Sequence, residues 1–239
     1  ACFFIFSGIN ILKKWQFQAE TGAVSIMNTV DVDFKKPQMN NKQLLLPYAA
    51  PYIVYIGIGS LLAGQLNAEH IYLLKLLIVA PVLFWAWGKY VPLLGPKNPV
   101  VSIGTGIIVG FIGTFLWVML LKPFAEPNGI PWTESGFVLR LAAAGLMVPV
   151  FEEMLMRGYI FRLVLQWELA QKAGINEPFD NAYYKNSIHR IEGGSWSFKA
   201  VVFSTLVFAL GHEINAWPAA VAYGLLMSAL WIIRKDLLT

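Results

Sequence analysis

Six apolar stretches mark the chain, at residues 48–66, 71–94, 100–121, 136–166, 198–213 and 217–233. A helix needs ~20 mostly apolar residues to cross a bilayer. The pattern therefore predicts an all-α fold, a polytopic transmembrane helical bundle with about six spans. The fourth stretch is long enough to cross and then continue as an interfacial helix past Arg157. The fifth is short and carries His212, which suits a helix buried among neighbours better than one facing lipid. Proline and glycine separate the stretches at Gly95-Pro96-Lys97-Asn98-Pro99 and at Pro127-Asn128-Gly129-Ile130-Pro131. Pro218 sits where the last helix would start. The one sizeable polar stretch is 168–197, with mixed charges and the turn pair Gly193-Gly194.

Ahead of the first span, residues 3–12 form an apolar run that ends at Lys13-Lys14 and is too short to cross. The first residue is not methionine, and Met39-Asn40-Asn41-Lys42 leads directly into the first span. Three readings of the 3–12 run within residues 1–38 stay open, a signal-like h-region, the tail of a lost helix or translated upstream sequence, with the last preferred; Met39 is a plausible start, and the chain reads as a fragment. Residues 39–135 hold the N-terminal transmembrane helices and 136–239 a separate C-terminal core. No repeat with a period of 20–50 residues and no second soluble domain is visible.

Small residues recur within the spans, and Gly106 and Gly110 stand in the small-xxx-small relation that lets helices approach closely in lipid. Trp85, Trp87, Trp132, Trp167, Trp196, Trp217 and Trp231 lie near span ends and read as interfacial belts. Composition agrees. Hydrophobic residues make up 57% of 239 positions and charged residues 13%, with a mean hydropathy of +0.58; a soluble domain would carry about 25% charged. The formal net charge of +4 suits contact with an anionic inner leaflet, and no clustered basic stretch suggests nucleic acid. Cys2 is the single cysteine, which excludes an internal disulfide framework and a cysteine-based metal cluster.

The positive-inside rule orients the chain. With a cytoplasmic N-terminus, Lys35, Lys36, Lys42, Lys89, Lys97, Lys172, Lys185, Arg190, Lys199, Arg234 and Lys235 fall inside. Glu69, Lys122, Glu126, Glu134 and Glu213 then fall outside.

The anomaly is Glu152-Glu153-Met154-Leu155-Met156-Arg157, three charged side chains in the middle of an apolar stretch. Each costs at least ~2.5 kcal/mol at the bilayer centre unless a partner, water or protonation relieves it. Glu153 and Arg157 are i,i+4 in the favourable order and can pair. Glu152 points about 100° away, which leaves its carboxylate for another task. On the fifth stretch Phe208 precedes His212 by one turn and can pack on its ring. A glutamate and a histidine from two packed helices can hold a water or a metal ion between them, and either would supply a nucleophile for hydrolysis. The plainer readings are a structural ion pair for Glu153–Arg157, a protonated core glutamate for Glu152 and a packing histidine for His212. His70 reads as interfacial, and His189 and Glu213 as solvated.

The pair of patterns Glu152-Glu153-x-x-x-Arg157 and Phe208-x-x-x-His212 resembles the CPBP family. These are the CAAX-protease and bacteriocin-processing intramembrane proteases, also called the Abi or type II CAAX prenyl endopeptidase family. The resemblance covers residues 136–239. Within the family, the apolar N-terminal half and Leu46-Pro47-Tyr48 most resemble the CAAX-protease-related proteins that accompany bacterial exosortases. The resemblance implies an endopeptidase that cuts a membrane-associated, in some members prenylated, substrate in the plane of the bilayer. It implies Glu152 as general base with His212 as its water or metal partner, and Glu153 and Arg157 as the supporting pair. Phe208 belongs to the second motif. Zinc is an option rather than a requirement, with Glu152 and His212 as its donors. The family carries a third motif, His-x-x-x-Asn/Asp, on a further helix, and none occurs before Thr239; the fragment alone is expected to be inactive. The setting implied is a bacterial inner membrane, with the lipid bilayer and a membrane-associated peptide or protein as partners. The alternative from another class is a non-catalytic scaffold or immunity protein that keeps the fold and binds peptides. A proton-coupled transporter is disfavoured because no inverted repeats or paired broken helices occur.

Overall fold

The computed structural model describes residues 39–124 and 132–238. The expectations for Cys2, the 3–12 run, the lysines before Met39, Glu126 and the 127–131 punctuation lie outside those residues. The described residues are helical throughout, without a strand, and form an all-α polytopic membrane bundle. The long helices are α1 (Asn41–Leu62), α2 (Ala68–Trp87), α3 (Pro99–Leu121), α4 (Glu134–Lys172), α5 (Phe198–Leu210) and α6 (Trp217–Arg234). Four segments are long and apolar enough to cross a membrane: Asn41–Leu62, Ala68–Trp87, Pro99–Phe124 and Ile214–Arg234. The other two expected spans are the long, charge-bearing α4 and the short apolar α5. The sixfold expectation thus holds for helices and only roughly for full crossings.

α1 starts seven residues earlier than the apolar pattern suggests because Asn40 builds a capping box. Its side chain accepts from the Gln43 amide, and the Gln43 side chain accepts from the Asn40 amide, each at 3.0 Å. Of the polar first turn, Lys42 and Gln43 stay exposed and Asn41 is drawn into the core. Asn41 has no exposed surface. Its Nδ2 donates to Gln166 Oε1 at 2.6 Å and to the Ala182 carbonyl at 2.8 Å, and its Oδ1 accepts from the Ile188 amide at 2.6 Å. That satisfies a group whose burial would otherwise cost several kcal/mol (~1–3 by mutational scales). The expected polar loop 168–197 is therefore partly core: α4 runs on to Lys172, and residues 181–191 fold back over the start of α1.

Two helical segments within α4 are widened to π geometry, Leu141–Met147 and Met154–Ile160. The Val148 amide donates to the Ala143 carbonyl and the Phe161 amide to the Met156 carbonyl, both five residues back. The residues at every junction stay in right-handed helical dihedrals, so the rod does not break. Pro149 follows the first widening, where its missing amide and its ring clash are accommodated most easily. Such widenings occur often at functional sites, and the second one carries Arg157.

Several packing expectations are corrected. A methyl at Gly110 would meet nothing within 4 Å, so the Gly106/Gly110 pair is not a helix contact at that position; Gly113 is, since a methyl there would lie 2.6 Å from Tyr223 Cε2. The face of α3 turned towards α6 is the one that carries Gly113, which has no small residue four positions away on either side. Trp231 is not a belt residue: it is 2% exposed and lies under the Arg162 guanidinium, 5.0 Å from Cζ to the ring centre. His189 is half-buried and not solvated, with Nε2 3.2 Å from the Lys89 carbonyl. Burial holds its imidazole below the usual histidine pKa, against the Lys89 carbonyl and with Arg162 adding to the fall. His70 and Glu213 are exposed, as expected.

Candidate functional site

Glu153 and Arg157 sit at the junction of the second π segment of α4. Arg157 Nη1 donates to Glu153 Oε1 at 3.0 Å, the pairing their spacing predicts, and Nη2 donates to the Gly224 carbonyl of α6 at 2.8 Å. Arg157 is 1% exposed, so the guanidinium is withdrawn from solvent and held by a carboxylate on its own helix and a carbonyl on another. Gly224 also lets α5 pack closely on α6, because a methyl there would stand 3.0 Å from Thr205 Cγ2 on α5. The remaining face of the guanidinium lies over Phe208, with Cζ 5.8 Å from the ring centre.

Phe208 in turn packs on His212, the ring centres 4.6 Å apart, which is the one-turn contact expected from their spacing. His212 lies just past the end of α5, where Gly211 closes the helix. Its Nδ1 is 2.8 Å from the Phe208 carbonyl. A carbonyl only accepts, so Nδ1 carries the proton and Nε2 is the free nitrogen of the neutral ring. Trp117 of α3 lies 5.2 Å from the imidazole centre, and the Trp217 indole donates to the His212 carbonyl at 3.2 Å. The imidazole is thus fixed in position and tautomer, with one nitrogen left to act.

Glu152 is half-buried and has no ion pair or hydrogen bond among the described residues. It lies within electrostatic range of Tyr52, Tyr55 and Tyr223. Tyr52 connects the two motifs. Its ring packs on Phe151, 6.1 Å between centres, and its hydroxyl donates to the Gly211 carbonyl at 3.5 Å. It therefore touches the residue before Glu152 and the residue before His212. Tyr223 closes the opposite side, stacked 6.1 Å from Phe208 and edge-on to Trp117 at 6.0 Å.

Tyr52, Tyr223, Trp117 and Gly224 were not among the residues singled out by the sequence. A signal for the first existed: Tyr48, Tyr52 and Tyr55 recur at i, i+4 and i+7, a stripe of rings with polar tips inside a span. Among the described residues, no three His, Cys, Asp or Glu side chains are grouped to hold a metal ion. Glu153 is committed to Arg157, so the donors on hand for zinc are Glu152 and His212. They are one short of the three protein ligands typical of a catalytic zinc site.

No curated protein and no solved structure matches the chain. Residues 134–239, from the first residue of α4 to the end of the chain, match the family model described as Type II CAAX prenyl endopeptidase Rce1-like. That region holds Glu152, Glu153, Arg157, Phe208 and His212 together with the helices that position them, and its similarity to the Rce1-like type II CAAX prenyl endopeptidase model is consistent with a CPBP family intramembrane protease.

Proposed function

We propose that the protein hydrolyses a peptide bond of a membrane-associated, prenylated or sorting-signal-bearing substrate, with Glu152 as the general base and His212 as its partner on the attacking water. The observation that carries this reading is the division of labour between adjacent carboxylates. Glu153 is consumed by Arg157, which is itself tied to α6, whereas Glu152 has no such partner among the described residues. Glu152 takes a proton from water as the hydroxide adds to the scissile carbonyl. It then returns that proton to the departing amine, the two-way role of a general acid–base carboxylate. The unprotonated Nε2 of His212 accepts a hydrogen bond from the same water and orients it. Nδ1 cannot do so, because the Phe208 carbonyl holds it. Arg157 and Phe208 position these groups and do not touch the reacting atoms. If zinc is bound, Glu152 and His212 are the donors that would hold it, and the metal would supply a more acidic water; every step above uses the chain's own residues.

In a cleavage assay with a prenylated-cysteine peptide presented in detergent micelles or vesicles, Glu152→Gln should lower kcat by ~10²–10⁴, the range that a general base contributes. Membrane insertion and melting temperature should stay at the wild-type level, because the amide is isosteric and the Glu153–Arg157 pair is untouched. Cleavage that persists in this variant sinks the assignment. A wild-type protein that binds the peptide and leaves it intact would favour the scaffold alternative.

A further inference from the structure

We infer that Arg162, Trp231 and Ser187 line a buried site for one small anion, of halide or formate size, between α4, α6 and the turn at 187–191. Arg162 is 5% exposed, Trp231 2% and Ser187 2%. Both hydrogen bonds of the Arg162 guanidinium use one nitrogen: Nη1 donates to the Ile188 carbonyl at 3.3 Å and to the Ile191 carbonyl at 2.6 Å. Its buried Nε–H meets no acceptor among the described residues, and neither does the buried indole N–H of Trp231; the Ser187 hydroxyl is likewise unpartnered. Ser187 directly precedes Ile188, whose carbonyl Arg162 binds. Trp231 lies against the guanidinium, 5.0 Å from Cζ to the ring centre.

Two features make the missing partner an anion rather than a neutral group. Arg162 forms no ion pair with a carboxylate among the described residues, in contrast to Arg157, which has Glu153. A guanidinium withdrawn from water without a counter-charge is among the least tolerable arrangements in a protein interior. The unpartnered groups are also the right chemistry, since Arg and Trp side chains are donors only. The Nε–Nη2 edge of a guanidinium is the fork that grips planar carboxylates and small anions. The site lies on the same two helices as the Arg157–Gly224 bond, five residues on along α4 and seven along α6. An anion there would pin α4 to α6 a turn or two below the candidate active site. This inference does not rest on the catalytic assignment, and its test involves no cleavage.

The test is the melting temperature of the full chain in detergent, measured in chloride, formate and gluconate at equal ionic strength and pH. A ligand that binds only the folded state raises the melting temperature with its concentration, so chloride or formate should raise it by several degrees over gluconate, which is too large to enter. The stronger of the two identifies the site as one for a halide or for a carboxylate. Arg162→Gln should erase the difference. Should that variant fail to fold, Trp231→Phe keeps the ring, deletes the donor and should shrink the difference. Crystals grown in bromide should show an anomalous peak beside Arg162 Nε. Equal melting temperatures in the three salts for the wild type, or a difference that survives undiminished in Trp231→Phe, would overturn the inference.

Discussion

Two buried arginines on α4 show how differently one residue type can be accommodated. Arg157 is neutralised on its own helix by Glu153 through Nη1 and donates Nη2 to the Gly224 carbonyl, while its Nε meets no acceptor among the described residues. The pairing was legible, because i,i+4 spacing determines which side chains of one helix can meet. The Gly224 bond was not, since it depends on the register between α4 and α6, which no local pattern encodes. The same holds for Tyr52, which is recognisable as part of an aromatic stripe but not as the link between Phe151 and Gly211. Removing one member of a buried charged pair leaves the other uncompensated, at a cost of ~3–5 kcal/mol. Arg157→Met should therefore lower the unfolding free energy by about that amount, read by tryptophan fluorescence in a micellar denaturant titration. Adding Glu153→Gln should recover part of the loss, because the stranded carboxylate is then gone; a double variant no better than the single one would show that Arg157 acts only by packing.

At the level of elements, the apolar pattern located all six long helices and failed mainly at their edges. α1 begins early because a capping box and a satisfied Asn41 carry it into polar sequence, where hydropathy sees only a loop. The π segments of α4 were invisible for a simpler reason: an apolar helix looks the same in composition whether its bonds span four residues or five. Glycine spacing misled in a way that the helix faces explain. On α3, Gly110 opens on empty space, whereas Gly113 receives the Tyr223 ring, and Tyr223 stacks on Phe208 beside His212. Gly113→Ala should push Tyr223 off that position, with an overpacking cost of ~1–3 kcal/mol and a loss of cleavage. Gly110→Ala should be neutral or stabilising by up to ~1 kcal/mol through helix propensity. Thermal melts and cleavage assays on the two variants check this directly, and equal effects at both sites would contradict the contact.

For the whole molecule, the contacts between elements sort the connections into two groups. Residues 181–188 meet the start of α1, His189 meets Lys89 at the end of α2, Leu237 meets Leu93, and Arg234 meets Asn98 before α3. Lys199 at the start of α5 bonds Gln171 at the end of α4. The opposite ends meet separately, where Ser135 at the start of α4 donates to Glu69 at the start of α2 at 2.8 Å. The first group carries Lys42, Lys89, Lys97, Lys172, Lys185, Arg190, Lys199, Arg234 and Lys235, and the second carries Glu69, Glu134 and Glu213 with the single lysine Lys122. Loops that touch one another must lie on one side of the bilayer, so the charge asymmetry read along the chain is also an asymmetry between two faces of the bundle. The positive-inside rule predicts that the basic face is cytoplasmic, which would start α1 inside. In a Cys2→Ser background, single cysteines at Lys185 and Glu213 report this orientation. A membrane-impermeant maleimide should label Glu213→Cys in intact spheroplasts and Lys185→Cys only after the membrane is permeabilised. The opposite pattern would invert the molecule and move His212, which directly precedes Glu213, to the cytoplasmic end of its helix.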